Sequence, residues 1–390
     1  MRGNARRGVA IVAAVVATAA VWFLLVRDDD QEPAPSRATA DTEVPSEVRA
    51  LVGGLTPEQK VDGILMVGFE GTDSTAPFME ALRERQLGGV LVRAANWLDA
   101  GQGAALVDAL HTATAGGELP PLLATTQEGG EYRALADLPP EERALDVGDL
   151  GDPEVAFEWS RSTAEALRDA GFDMNLAPVA DVATLDSPIA DRAFSDDPNV
   201  TGQLTAAAVR GCATAGIACV ARHFPGLGAA SGSTDQGPAE VGLDTATLAS
   251  RDLIPFEAAI ADGVPAVMLS HAFYTAFDPV TPGSLSPAVA TGLLRDELGF
   301  TGVAITDDLG TGAVRATTGV QPAAIAAVNA GADMLLVESP DEADSVREAL
   351  LAAVESGEIP PERLDQAVGR VLELKRTLGL LGDEGTPAAE

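Results

Sequence analysis

Across 390 residues, 59 Asp and Glu stand against 25 Lys and Arg, and the resulting net charge of −34 repels phosphate and excludes nucleic acid as a partner. An apolar content of 46% argues against general disorder, while 40 Gly and 25 Pro mark a chain of many turns. A chain of this length can bury one large core or two small ones.

The N-terminus carries an uncharged apolar run from Val9 to Val26, preceded by Arg2, Arg6 and Arg7 and closed by Arg27. That length suffices for one helical membrane span, and the flanking arginines place it with the N-terminus cytoplasmic. Residues 1–27 are therefore expected to be a cytoplasmic N-terminus and transmembrane anchor, with the cell membrane as a partner and the remainder extracytoplasmic. A cleaved signal peptide, giving a secreted form, is the competing reading. The run meets Arg27 rather than a small-x-small site, which favours the anchor. Residues 28–49, acidic and Pro-rich, have almost nothing to bury and read as a linker.

The folded part is expected over 50–381, with 382–390 a disordered tail. Thr56-Pro57-Glu58-Gln59 supplies a capping hydroxyl, a proline in the first turn and a glutamine three after the cap, the start signals of a helix. From there, short apolar runs alternate with amphipathic stretches. The runs are Ile64–Phe69, Gly89–Arg93, Leu122–Gln127, Met174–Asp181, Ile217–Phe224, Ala266–His271, Gly302–Asp307 and Ala332–Val337. Helical patterns occupy Ala104–Ala113, Pro153–Ala170, Thr205–Ala215, Leu248–Ala261, Pro287–Leu298, Pro322–Val328, Asp341–Glu355 and Pro361–Leu378. Eight alternations predict an α/β chain of the (β/α)8 TIM-barrel class, expected to be a monomer. A doubly wound open sheet is the runner-up, weakened because no G-x-G-x-x-G follows the first run. Cys212 and Cys219 are the only cysteines, and their spacing leaves a disulfide and two thiols equally open.

In a barrel of this kind chemistry belongs to the C-terminal ends of the strands. Those ends offer Gln127 and Glu128, Asp181, Arg222 and His223, His271, Asp307 and Asp308, and Glu338. Gly302-Val303-Ala304-Ile305-Thr306-Asp307-Asp308-Leu309 is the sharpest case: a buried-strand pattern running into two adjacent carboxylates, costly beside a core unless paired or used. No His or Cys cluster asks for a metal, and no cofactor is implied.

Leu293 through Gly302 and on to Asp307 resembles the nucleophile signature of family 3 glycoside hydrolases, closest to their single-domain bacterial β-N-acetylhexosaminidases. Gln127-Glu128-Gly129-Gly130, Ala177-Pro178-Val179-Ala180-Asp181, Asp191 to Pro198, Arg222-His223-Phe224-Pro225-Gly226, Leu309 and Asn329 to Met334 extend the resemblance over about residues 50–380. It implies retaining hydrolysis of O-glycosidic bonds in cell-wall fragments containing N-acetylglucosamine, with a saccharide or peptidoglycan fragment as partner. It implies Asp307 as nucleophile and Arg192, Arg222 and His223 as sugar-binding residues, with Glu128 and Thr126 beside them. His271 is open between lining the pocket and hydrogen-bonding a neighbouring rim residue.

The chain departs from that pattern around one pocket. Leu227 stands for the first histidine of the family's loop. Asp235 matches the aspartate of its Asp-Ser-His triplet, and Gly237 falls where the catalytic histidine should be. Thr126 replaces an aspartate and Glu131 an arginine. Asp235 is then the candidate acid/base. The alternative reading is a catalytically impaired barrel serving as a wall-saccharide binding or scaffold protein, or a hydrolase of altered specificity.

Overall fold

The computed structural model describes residues 44–381, apart from 116 and 118. Its strands are, in chain order, β1 (Leu65–Gly68), β2 (Gly89–Leu91), β3 (Leu122–Thr125), β4 (Met174–Asn175), β5 (Ala218–Phe224), β6 (Glu240–Val241), β7 (Ala266–Leu269), β8 (Phe273–Tyr274), β9 (Asp278–Pro282), β10 (Val303–Thr306) and β11 (Leu335–Val337). Eight of them, one from each apolar run, form a parallel sheet in the order β10-β7-β5-β4-β3-β2-β1-β11. Typical registers pair Met66 with Gly89 and Ala304 with Val267. The two ends of the order meet: a parallel bridge joins Ile305 to Met334, and the Thr306 N–H donates to the Met334 carbonyl at 3.0 Å. An open doubly wound sheet has no such seam, so the TIM-barrel-like expectation stands.

Strand side chains alternate between two apolar layers, as the period of two requires. Met66, Leu122, Met174, Val220, Met268, Ile305 and Leu336 fill the barrel interior. Val67, Leu123, Cys219, Val267, Ala304 and Leu335 face the surrounding helices. Val371 and Leu374, from the closing helix Pro361–Thr377, join Ala218, Ala266 and Val303 at the strand starts, so this helix seals the end of the barrel opposite the catalytic rim.

The same helix buries Lys375, whose Nζ donates to the Leu87 carbonyl at 3.3 Å. Burial pushes its ammonium down to about 7, with Asp173 only partly offsetting. The folded state therefore binds fewer protons than the unfolded chain between about pH 7 and the ordinary lysine value, and stability rises with pH across that window. Lys375→Met should raise the thermal midpoint at pH 6, by about 1 kcal/mol or more of stability, and the gain should shrink as the pH approaches 10. Calorimetry of both proteins from pH 6 to 10 checks it; a gain that grows with pH would contradict the sign.

Thr56 caps the helix Pro57–Gly63 as its sequence predicts: Oγ1 accepts from Gln59 N at 3.3 Å and the Gln59 side chain accepts from Thr56 N at 2.9 Å. The expected helix over 248–261 is instead two, Thr245–Ser250 and Ile254–Ala261. Pro255, which cannot donate within a continuous helix, sits in the first turn of the second. A helix at Ser46–Gly54 begins inside the stretch read as linker, because Val48 and Val52, four apart, bury against the core. Strands β6, β8 and β9 form a small separate sheet that sequence reading did not anticipate. Cys212 and Cys219 are both buried free thiols, with Ser160 Oγ 3.2 Å from the Cys212 sulfur.

The expected N-terminal transmembrane helix is corrected. Among the described residues no helix is long and apolar enough to cross a membrane. The run from Val9 to Val26 lies outside the described residues, as do most of the linker and the tail 382–390. A single-pass topology, the membrane as partner and an extracytoplasmic barrel are accordingly not carried forward.

Candidate active site

A cleft of about 530 Å³ opens at the C-terminal ends of the barrel strands. Arg93 reaches it from the end of β2, Thr126 from β3, Arg192 from the long connection after β4, and Arg222 and His223 from β5. Asp235 enters from the loop after β5, Asp307 and Asp308 follow β10, and Glu338 follows β11. Thr126, Arg192, Arg222, His223, Asp235 and Asp307, all singled out in the sequence, are thus brought together. Glu128 and His271 are not among the lining residues.

Glu128 lies beneath the cleft and organises it. Its carboxylate accepts from Arg192 Nε and Nη2, both at 2.8 Å, and from Arg222 Nη2. Burial alone would raise its pKa, but Arg222 and Arg192 outweigh burial and hold it down to about 2. Two guanidiniums that would otherwise repel are locked side by side by one anion. His223 is fixed in the same way. Its Nδ1 lies 2.7 Å from Oδ2 of the buried Asp181, which also accepts from the backbone N–H groups of His223 and Leu227.

Asp307 is half-buried, and its desolvation would raise its pKa, yet His223, His271 and Arg222 hold it below the ordinary aspartate range. The Asp308 N–H donates to Asp307 Oδ1 at 2.9 Å. The neighbouring Asp308 behaves oppositely: burial, joined by Glu338 and Asp307, lifts it to about 6 although the Glu338 and Gly310 N–H groups work against the rise. Two adjacent carboxyls are therefore set apart by their surroundings. His271 supports this turn from below, its Nε2 donating to the Asp308 carbonyl at 3.0 Å and its Nδ1 meeting Ser284 Oγ at 2.6 Å. Of its two open roles, it takes the hydrogen-bonding one.

The loop bearing Asp235 is drawn against the helix Gly312–Thr317. Gly312 N donates to the Asp235 carbonyl at 2.9 Å and Ala313 N to the Thr234 carbonyl at 3.0 Å. A Cβ on Gly312 would stand 2.5 Å from the Gln236 carbonyl carbon, so only glycine permits this approach. Gly237 has open space around it, with nothing within 4 Å of an added Cβ. Arg93, Asp308 and Glu338 also line the cleft: the latter two were named among the strand ends without a role, and Arg93 was not singled out. Their signal was available, since each ends an apolar run or directly follows one. Among the described residues no group of three or more His, Cys, Asp or Glu is arranged to hold a metal ion.

A closed parallel barrel with an ionised carboxylate and a bound cation pair at its C-terminal rim defines a barrel enzyme of the glycoside-hydrolase type. Residues 56–374 match the Glycosyl hydrolase family 3 N terminal domain. The chain is 33% identical over 329 residues to a beta-hexosaminidase of Stenotrophomonas maltophilia (strain K279a), covering 82% of this chain and 91% of that protein. The structure of a glycoside hydrolase family 3 beta-N-acetylglucosaminidase from Paenibacillus sp. str. FPU-7 superposes with a TM-score of 0.80 at 34% identity, covering 86% of this chain and 65% of that one. A beta-N-acetylhexosaminidase from Beutenbergia cavernae DSM 12333 gives 0.76 at 32% identity, covering 83% and 99%. The protein belongs to glycosyl hydrolase family 3.

Proposed function

We propose that the protein is a retaining β-N-acetylhexosaminidase that releases N-acetylglucosamine from cell-wall fragments. The observation that carries the reading is Asp307: a half-buried carboxylate, kept ionised, at a strand end that opens on a cleft walled by Arg192, Arg222 and His223. Asp307 attacks the anomeric carbon as Asp235 protonates the leaving oxygen, giving a covalent glycosyl-enzyme. Asp235, now a base, takes a proton from the water that hydrolyses that ester, and the anomeric configuration is retained overall. Arg192, Arg222 and His223 hold sugar oxygens, Thr126 adds an uncharged hydroxyl, and Glu128 keeps the two arginines in place. Asp235 stands exposed on its loop, where it meets a leaving group at the mouth of the cleft.

A lone carboxyl without the family's loop histidine makes protonation of the leaving group the slow step. Nitrophenyl N-acetylglucosaminide, whose leaving group needs little protonation, should be turned over much faster than the natural disaccharide. Asp235→Asn should cost the disaccharide about 10²-fold or more in kcat and the nitrophenyl substrate far less. Assaying both substrates across pH 4–8, with calorimetry of N-acetylglucosamine and a muropeptide alongside, tests the reading. Binding without turnover of either substrate would replace it with that of a wall-saccharide binding protein.

A further inference from the structure

Besides Asp308, two charged residues of the cleft have no part in that mechanism: Arg93 at the end of β2 and Glu338 directly after β11. We propose that they form a second hydroxyl clamp, binding non-reacting hydroxyls of the same sugar across the cleft from Arg192 and Arg222. The proposal rests on the reading of the cleft as a glycosidase site.

Arg93 is held for a purpose that its protein contacts do not complete. Its Nη2 donates to the Phe69 carbonyl at 2.8 Å and to Glu70 at 3.0 Å. The buried Asn96 ties the same loop together, accepting from Arg93 N at 3.0 Å and donating to the carbonyls of Phe69 and Gly71. One edge of the guanidinium is therefore fixed. Its Nε is buried and has no hydrogen-bond partner among the described residues. That nitrogen has essentially no exposed surface, so the donor left for a cleft oxygen is Nη1, on the side of Glu338, in a residue that lines the cleft.

Glu338 supplies the complementary acceptor. Its N–H donates to Asp308 Oδ1 at 2.9 Å, which ties it to the turn after Asp307. Its carboxylate stands 3.5 Å from Arg93 Nη1 and its side chain is 41% exposed, so lone pairs remain for a ligand. So long and open an ion pair does little for stability by itself. Burial raises its pKa, and nearby Asp307 adds to this, although Arg93 opposes them. A sugar hydroxyl donates and accepts at once, so an N–H beside a carboxylate suits one hydroxyl or two adjacent ones. Around the barrel, β2 and β11 flank β1, which lies opposite β5 in the ring of eight. The pair thus faces Arg222 and His223, on a rim where β3 offers only the uncharged Thr126.

The test is steady-state hydrolysis of nitrophenyl N-acetylglucosaminide by wild type, Glu338→Gln and Arg93→Met, with calorimetry of N-acetylglucosamine. Each variant should raise KM and weaken sugar binding about 10-fold or more, the loss of one charged hydrogen bond, with kcat within about 3-fold. A substrate lacking the clamped hydroxyl should bind wild type as weakly as the intact one binds Glu338→Gln, and the substitution should then have no further effect. Glu338→Asp and Arg93→Lys should fall between, and they carry the test if a first variant does not fold. Unchanged KM and sugar affinity in variants of a wild type that does hydrolyse would overturn the clamp. So would a kcat loss that grows with leaving-group basicity, which would mark proton transfer instead. Absence of wild-type turnover would count against the glycosidase reading itself, and the calorimetry would still show whether the pair binds sugar.

Discussion

Asp307→Ala is expected to reduce hydrolysis of the activated nitrophenyl substrate by about 10³-fold or more, because it removes the carboxylate proposed to form the glycosyl-enzyme. The activated substrate is the informative one, since it removes the contribution of the acid and isolates the nucleophile. Folding should survive. The carboxylate's hydrogen bond is to its own neighbour's N–H, and the cations around it have other anchors, Glu128 for Arg222 and Asp181 for His223. Sugar affinity should change by far less than kcat. The truncated side chain also leaves room for a small anion, so azide should restore turnover of the nitrophenyl substrate and yield a glycosyl azide of inverted configuration. The Asp235→Asn enzyme should instead gain most in the second step, giving the azide with retained configuration. Residual activity above about 1% in Asp307→Ala, without azide, would remove Asp307 from the nucleophile's role.

The barrel was legible because strands buried on both faces read as unbroken apolar runs, and most of the runs delivered a polar or ionisable residue to one rim. The chemistry of the rim was legible for the same reason. Sequence shows that a residue reaches the strand end, but it does not show which way the side chain turns. Glu128 follows β3 as Thr126 does, yet it points beneath the cleft to serve Arg192 and Arg222, while Thr126 faces the cleft. His271 ends β7 but is fully buried under Asp308. Glu338 was visible at the end of the eighth run but without a role, and Arg93, closing the second run, lay outside the motifs that drew notice. Strands of two residues, such as β6 and β8, contain no period to detect, and β9 carries two prolines. The helix at Ser46–Gly54 rests on only two buried valines within a polar context, too little for a pattern.

The largest stability effect is expected at Asp333, whose fully buried carboxylate lies at the seam that closes the barrel. Oδ2 accepts from Arg295 Nη2 at 2.5 Å and from Ala304 N at 3.0 Å, and Oδ1 accepts from Arg363 at 2.8 Å and Arg370 at 3.0 Å. Burial would raise its pKa, but Arg295, Arg370 and Arg363 outweigh burial and keep it below the ordinary value. Its stabilising contribution is thus present above the unfolded aspartate value and lost as the pH falls through the folded one. Asp333→Ala leaves three guanidiniums without their shared anion and a strand N–H without its acceptor, at a cost of about 3–5 kcal/mol. That is a large share of the roughly 5–15 kcal/mol of a whole domain. Arg370, the most exposed of the three at 20%, should be the least costly to remove. With the anion already gone, Arg370→Ala should relieve repulsion, so the double variant should be more stable than Asp333→Ala alone. Urea unfolding of the four proteins at pH 7 measures this directly. A loss below about 1 kcal/mol for Asp333→Ala, or a double variant less stable than Asp333→Ala, would show that the arginines find other partners and that the seam does not depend on this carboxylate.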